Sequence, residues 1–215
     1  ADLGDQRCKV PILPPEIARD TAYAVGDVVR VRTSGTPVSF ALPIVNGGFE
    51  ADGTGDGAGF TPTGWTKVSG DWDVHDASNG DLSPAVGSFY LEGGNSASGE
   101  LAQTIDLVAS GLEPVQIDAD AYRLDVSVSR ANSFPDDLGR VIVEALDGAA
   151  NVLTTIFDTG FEAIMPEDSW VERGISQSQF ASGARSLRIR LLHQRVAGSQ
   201  SNAAFDAVMA IVTKS

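Results

Sequence analysis

The chain has 215 residues, 42% of them hydrophobic, and a formal net charge of −14 from 29 acidic and 15 basic residues. A surface this acidic repels phosphate backbones, which argues against nucleic acid as a partner. No apolar run is long enough to span a bilayer, so membrane insertion is not expected. The length suits one all-β domain with an appendage, or at most two small domains.

The first 38 residues differ in composition from the rest. Pro11, Pro14 and Pro15 stiffen this segment and exclude a regular helix. Residues 24–32 predict a turn followed by a strand. The segment is too small to fold alone, so we expect it to dock on the main domain or on a partner chain. The chain also begins inside what reads as a motif, and we expect it to be a piece of a longer polypeptide.

From residue 40 onward, short alternating segments predict β-strands. In chain order they span residues 40–45, 65–68, 72–75, 89–92, 101–107, 117–129, 140–146, 152–158, 169–176, 186–193 and 203–212. Asp147 and Gly148 predict a hairpin turn, and Leu187, Ile189 and Leu191 are expected to face inward. The pattern predicts an all-β, two-sheet antiparallel β-sandwich (jelly roll) with a short N-terminal extension. We place the connector at 1–38 and the jelly roll at 39–215.

Seven short motifs follow one another along this domain. They are Asn-Gly-Gly-Phe-Glu (46–50), Gly-Trp (64–65), Gly-Ser-Phe-Tyr-Leu (87–91), Ala-Gln-Thr-Ile-Asp-Leu (102–107), Ser-Trp (169–170), Leu-Arg-Ile-Arg-Leu (187–191) and Phe-Asp-Ala-Val (205–208). In this order, the region from about 40 to 215 resembles the carbohydrate-binding-module-like, galactose-binding-like jelly rolls. The resemblance implies a module that binds carbohydrate.

The same resemblance implies a structural calcium where the first and last strands meet. Its side-chain ligands would be Glu50 and Asp206. Calcium takes six to eight oxygens, many of them backbone carbonyls, and Asp52 and Asp56 could add carboxylates. The alternative is that Glu50 caps a turn and Asp206 bonds a neighbouring amide.

Aromatic residues make up 7% of the chain, so few can form a sugar-binding platform. Trp65 and Trp170 occupy positions that resemble core sites of the family, and we expect both to be mainly buried. The expected ligand-binding face consists of Trp72, Asp73, His75, Tyr122, Arg123 and His193. The alternative is that these strand aromatics belong to the core.

Catalysis finds little support in the sequence. The chain has two histidines and no Gly-x-Ser-x-Gly nucleophile motif. Carboxylate pairs such as Asp118 with Asp120 follow from the acidic composition and do not by themselves indicate glycoside hydrolysis. The sequence therefore predicts that the chain is not an enzyme.

A second resemblance concerns the N-terminus. The run Leu-Gly-Asp-Gln-Arg-Cys (3–8), followed by residues 22–30, resembles a segment of the tail-tip hub proteins of siphophages and gene transfer agents, over about residues 1–32. In some hubs, cysteines hold an iron–sulfur cluster, which needs about four thiolates. Cys8 is the one cysteine here, so it forms no internal disulfide. It could ligate a cluster only with cysteines from elsewhere; otherwise it is inert.

Taken together, these features predict a non-catalytic binding module of a phage or phage-like tail-tip protein that adheres to host-surface glycan. Its location would be the virion tail, or otherwise extracellular. Other tail proteins would be its partners, and we expect a homo-oligomer within the particle. Two alternatives remain: a purely structural decoration domain, and an accessory carbohydrate-binding module of a secreted polysaccharide-degrading enzyme.

Overall fold

A computed structural model describes residues 37–78, 82–133, 137–164 and 168–214. The connector up to residue 36 lies outside the described residues, and so does Cys8, so their predicted roles stay predictions. The described residues form eleven strands and one short helix. These are β1 (Val38–Ala41), β2 (Thr66–Ser69), β3 (Trp72–Asp76), β4 (Phe89–Gly93), β5 (Ser98–Asp106), α1 (Pro114–Asp118), β6 (Tyr122–Asn132), β7 (Leu138–Leu146), β8 (Val152–Asp158), β9 (Val171–Gln179), β10 (Ser186–Gln194) and β11 (Ala203–Lys214).

The strands form two sheets. The six-stranded sheet has the order β3-β4-β11-β6-β9, with β1 paired to the C-terminal half of β11. The five-stranded sheet has the order β2-β5-β10-β7-β8. Every pairing between named strands is antiparallel, and the chain passes repeatedly from one sheet to the other. This architecture confirms the predicted two-sheet β-sandwich.

The core lies between the sheets and follows the period-two alternation of the strands. Leu187, Ile189 and Leu191 on β10 are fully buried, as predicted, and Trp65 is also buried, as expected. Burial of each large apolar side chain contributes roughly 1.5–3 kcal/mol relative to exposure. Trp170 is half-buried, and its indole N–H donates to the carbonyl of Ser83 at 2.7 Å.

The predicted strand over residues 117–129 is wrong at its start, because α1 occupies residues 114–118. Pro114 stands at the beginning of this helix, where its missing N–H costs nothing and its fixed φ suits the helix. Asp120 then adopts a left-handed φ of 57°, which turns the chain into β6 at Tyr122. The alternation of Asp and Ala before Tyr122 offers no apolar face that would hold it in a sheet.

The first strand also differs from its prediction, since β1 ends at Ala41 and residues 45–48 form a turn. Asn46 and Phe49 have left-handed φ values of 53° and 57°, and the Phe49 side chain is fully buried. On β11, the register with β6 shifts between Asp206 and Met209. The turn and this bulge meet, because the N–H of Val208 donates to the carbonyl of Gly47.

Candidate functional site

Glu50 and Asp206 are brought together at this junction of turn and bulge. Asp206 is fully buried on β11, whereas Glu50 is exposed just after the turn. A Cβ built on Gly48 would lie 3.7 Å from Asp206 Oδ1 and 3.8 Å from Glu50 Cγ. The two acids are therefore neighbours across a glycine, although 156 positions in the sequence separate them.

The segment before β4 connects the two carboxylates. The backbone N–H groups of Ser88 and Phe89 donate to Glu50 Oε1 at 2.8 and 3.0 Å. The N–H of Val86 donates to Asp206 Oδ2 at 3.0 Å. These bonds hold both acids against residues 86–89. A bond from Asp206 to a neighbouring amide is what the alternative without a metal predicts.

Position 87 strongly favours glycine. Its φ is +68°, and a Cβ there would lie 2.2 Å from Glu50 Oε1. A side chain would thus be strained by its backbone and would displace the Glu50 carboxylate.

The electrostatics of this acidic pair favour a cation. Burial raises the pKa of Asp206 to about 6, while backbone hydrogen bonds from Val86, Ala207 and Ala85 oppose the shift and the nearby Glu50 adds to it. Within the described part of the chain, no Lys, Arg or His pairs with Asp206. A buried carboxylate beside a second carboxylate is costly at neutral pH unless a positive charge compensates it.

The donor set at this junction fits a hard, oxygen-binding cation. Among the described residues, no group of three His, Cys, Asp or Glu side chains is placed to hold a metal. A cation here would take backbone carbonyls and water beside the two carboxylates, which is a mixture that calcium accepts. Asp52 is engaged elsewhere: it accepts hydrogen bonds from Thr63 and from the Asn46 side chain, and so braces the adjoining loop.

The six side chains of the expected glycan face do not form one exposed surface. Trp72, Asp73 and His193 are buried, and the Trp72 ring packs edge-on against His193 with centroids 4.6 Å apart. Burial lowers the pKa of His193 to about 4, so its imidazole is neutral at pH 7. These residues stabilise one end of the core.

The remaining members of that set lie elsewhere. The register of the six-stranded sheet places Asp73 on β3 level with Ala131 on β6, through the intervening strands β4 and β11. Tyr122 lies nine positions before Ala131 on the same strand β6. At ~3.3 Å per residue, this separation is roughly 30 Å. Arg123 pairs there with Asp120 at 2.9 Å. Tyr122 is buried, so its ring is not a platform for a ligand.

His75 is half-buried on β3, close to the buried Asp73. Its Nε2 lies 3.6 Å from Glu92 Oε2, and its ring centroid is 5.9 Å from that of Tyr90. Burial raises the pKa of Asp73, whose carboxylate accepts hydrogen bonds from the Gly57 N–H and the Gln200 side chain. This group lies at the β3–β4 edge of the six-stranded sheet.

The outer face of the five-stranded sheet carries a network of charged side chains. Arg190, at its centre, donates from Nε and Nη2 to both oxygens of Glu100, at 2.7 and 2.9 Å, and contacts Glu144 at 3.4 Å. Arg188 binds the same Glu144, with Nη2 2.7 Å from Oε2. Because each side chain holds its neighbour, the network keeps its hydrogen-bonding groups in position.

A cavity of about 540 Å³ opens at one end of this face. We call it the Phe161 pocket, and its lining includes Ser69, Ser98, Glu100, Phe161, Leu192 and Arg195. The Phe161 ring is 39% exposed, and the guanidinium carbon of Arg140 lies 5.5 Å from its centroid. Asp158 holds Arg140 in place through two hydrogen bonds of 2.7 and 2.5 Å. His193 contributes to the wall of this pocket, and it is the one member of the expected glycan face that does so.

The sequence patterns do not predict Phe161 as a site residue, because this residue lies in an irregular segment between β8 and β9. The available signal was Gly160-Phe161 shortly after β8, which ends at Asp158. An aromatic residue in a loop is not part of a strand's alternation, and loops often carry binding residues. Arg195 was missed for the same reason, since it follows the last residue of β10.

No protein-family model matches the chain. No curated protein matches it either. In the four described ranges, no helix is both long enough and apolar enough to cross a membrane.

Solved structures match its fold, a jelly-roll β-sandwich. A cyclase from Fischerella sp. TAU, in complex with 4-(1H-indol-3-yl)butan-2-one, matches with a TM-score of 0.58 and 19% identity over 82% of this chain and 98% of the cyclase. The enzymatically active domain of bacteriophage CBA120 tailspike protein 4 matches with a TM-score of 0.54 and 13% identity, over 79% of this chain and 21% of that one. The CBM22-1 xylan-binding domain from Paenibacillus barcinonensis matches with 16% identity over 83% of this chain and 94% of that domain. Its TM-score of 0.47 is too low to show a shared fold.

These matches correct the prediction that the chain is not an enzyme. Sandwiches of the same fold include a cyclase and an enzymatically active tailspike domain. The lack of a hydrolase motif therefore does not exclude catalysis on this scaffold. At identities below 25%, the likeness shows the fold alone, and function has to be argued from the site.

Proposed function

We propose that this jelly roll binds glycan in the Phe161 pocket. Carbohydrate recognition needs an apolar surface for the C–H face of a sugar ring and hydrogen-bonding groups that are already in position. The observation that carries the proposal is the exposed Phe161 ring at the edge of a cavity of about 540 Å³ that is also lined by Glu100, whose carboxylate Arg190 holds in place.

The pocket supplies both kinds of contact. Leu192 lies between Glu100 and Arg140 across the sheet, so an apolar side chain is flanked by charged ones. Glu100 is held by Arg190, so it can accept hydrogen bonds from sugar hydroxyls without losing further side-chain freedom. Ser69 and Ser98 add hydroxyl groups at the opposite side from Phe161.

The proposed setting is the tail of a phage or phage-like particle, at the host surface. The resemblance of residues 1–32 to tail-tip hubs supports it, and so does the fold shared with a tailspike domain. Single glycan sites bind weakly, and a homo-oligomer that presents several copies beside other tail proteins would gain affinity through avidity.

A structural calcium at Glu50 and Asp206 is part of the proposal. The buried Asp206 carboxylate, which lacks a cationic partner among the described side chains, supports it. The bound ion would supply positive charge there. Glu50 and Asp206 would hold it while the amides of residues 86–89 orient both carboxylates.

Phe161→Ala should abolish or strongly weaken glycan binding, because it removes the apolar surface for the sugar ring. We expect a loss of roughly tenfold or more, equivalent to about 1.4 kcal/mol. The measurement is a broad glycan array followed by titration calorimetry of the best glycan, with calcium in the buffer. Phe161→Tyr keeps the ring and should retain binding.

Ile211→Ala is the matched control, since Ile211 is equally exposed, at 39%, but lies on the six-stranded sheet. Its binding should equal that of the wild type. If the wild-type protein binds no glycan on the array, or if Ile211→Ala weakens binding as much as Phe161→Ala, the proposed function fails.

A further inference from the structure

We infer that the Phe161 pocket takes an acidic sugar, whose carboxylate is bound by the guanidinium of Arg195. The inference rests on the proposed glycan-binding function and specifies the class of sugar. It follows from how Arg195 is held and from the charge around it.

One nitrogen of Arg195 is fully used by the protein. Its Nη1 donates to the carbonyl of Asn95 at 2.6 Å and also to the carbonyl of Ser199. These two bonds anchor the guanidinium and take both Nη1 hydrogens. Its Nε and Nη2 make no hydrogen bond to the described residues, so one edge of the guanidinium remains for a ligand.

Arg195 also differs from the other arginines of this face in its partners. Arg140, Arg188 and Arg190 each pair with a carboxylate, whereas Arg195 pairs with none in the described ranges. The buried Asp137 accepts hydrogen bonds from backbone amides of the loop that follows Arg195, at Val196 and Asn202.

Arg195 is therefore a cation of the pocket that forms no ion pair with the described residues. Along the sheet face, Glu100, Glu144 and Asp158 balance the three paired arginines. Arg195 adds one positive charge to this set, and the nearby Asp137 carboxylate is bound by backbone amides instead of pairing with it, in a chain whose net charge is −14. An anionic ligand is repelled by most of the surface, and here it meets a local attraction.

The free edge suits a carboxylate in particular. The Nε–Nη2 edge presents two parallel N–H donors, which match the two oxygens of a carboxylate. With Phe161 against the sugar ring, Arg195 would read the acid group of a uronic or ulosonic acid. Sulfate shares the negative charge, and a sulfated sugar serves to separate the two chemistries.

The test compares acidic sugars with their own methyl esters. Trigalacturonate and 3′-sialyllactose are titrated into the wild-type protein beside their methyl esters, with lactose as the neutral sugar and a sulfated chondroitin tetrasaccharide as the sulfate probe. We expect at least one acidic sugar to bind, and its ester to bind roughly 10- to 100-fold more weakly, because esterification removes the charge and one acceptor.

Arg195→Gln should remove the difference between acid and ester, whereas Phe161→Ala should weaken binding of both. Arg185→Gln is the matched control: it removes the same charge, but Arg185 pairs with Asp118 next to the opposite end of β10. That variant should keep the preference for the acid. If Arg195→Gln unfolds, Arg195→Lys retains the charge without the planar edge and should show an intermediate preference.

The outcomes separate the two proposals. If neutral sugars and esters bind as tightly as acids, the inference is overturned and glycan binding stands. If the sulfated sugar binds more tightly than every carboxylate sugar, the assignment to a carboxylate is overturned. If no glycan binds, here or on the broad array, the proposed function itself fails.

Discussion

Calcium should raise the melting temperature of the metal-free protein by roughly 5–10 °C at pH 7.5. A ligand at a hundred times its dissociation constant stabilises the folded state by about 2.7 kcal/mol, and each kcal/mol moves the melting temperature of a domain of this size by roughly 2–4 °C. The physical cause is the buried Asp206 carboxylate, whose charge beside Glu50 is uncompensated without the ion. Scanning calorimetry after chelator treatment, with and without 1 mM calcium, measures the shift.

Two variants test whether the shift comes from this site. Asp206→Asn removes the buried charge and should abolish the response to calcium. Asp52→Asn removes a carboxylate that braces the adjoining loop through Thr63, and the response should persist. An unchanged melting temperature in the wild type, or an equal response in Asp206→Asn, would contradict the calcium proposal.

Acid should destabilise the fold between pH 6.5 and pH 4 through His193, by about 3 kcal/mol at the lower limit. The imidazole is buried against Trp72, which lowers its pKa from 6.5 to about 4. In this window the unfolded chain binds the proton more readily than the folded protein. The contribution of the neutral, buried His193 to stability is therefore complete above pH 6.5 and is lost as the pH falls through 4.

Asp206 acts in the opposite direction when no metal is bound. Its folded pKa of about 6 lies above the usual aspartate value of 3.8, so its contribution to stability is present below pH 3.8 and is lost as the pH rises through 6. The two effects partly cancel in the metal-free protein. Calcium would keep Asp206 ionised, so we expect a steeper loss of stability toward acid with calcium than without.

Urea unfolding at several pH values between 7.5 and 4.5 measures both slopes. His193→Gln should flatten the acid dependence, whatever its effect on stability at pH 7.5. Gln194→Ala, at the exposed and uncharged last residue of β10, is the control and should leave the slope intact. An unchanged slope in His193→Gln would refute this assignment.

Much of the fold is predictable from local patterns. The alternation along Leu187, Ile189 and Leu191 predicts a strand with one buried face, and the structure confirms it because period-two burial is a property of the strand itself. The Asp147–Gly148 turn is predictable for the same reason: the Asp147 side chain accepts hydrogen bonds from the N–H groups of Ala149 and Asn151. Such signals need no knowledge of the partner strands.

The candidate sites depend on packing between distant segments. Trp72 and His193 have polar sequence neighbours that made them candidates for a surface, yet they meet in the core because their strands belong to facing sheets. The sequence of α1 alternates like a strand, but Pro114 favours the start of a helix there, and the left-handed φ of Asp120 ends the helix before β6.

By itself, the sequence determined the fold class, the inward faces of the strands and the acidic balance, because these properties depend on neighbours along the chain. The tertiary structure alone decided which side chains share a pocket. Phe161, Glu100 and Arg195 belong to three separate segments and meet only where the five-stranded sheet aligns them. Their charge balance has meaning only after that alignment, since Coulomb attraction and desolvation act over distance in space and not over distance in sequence.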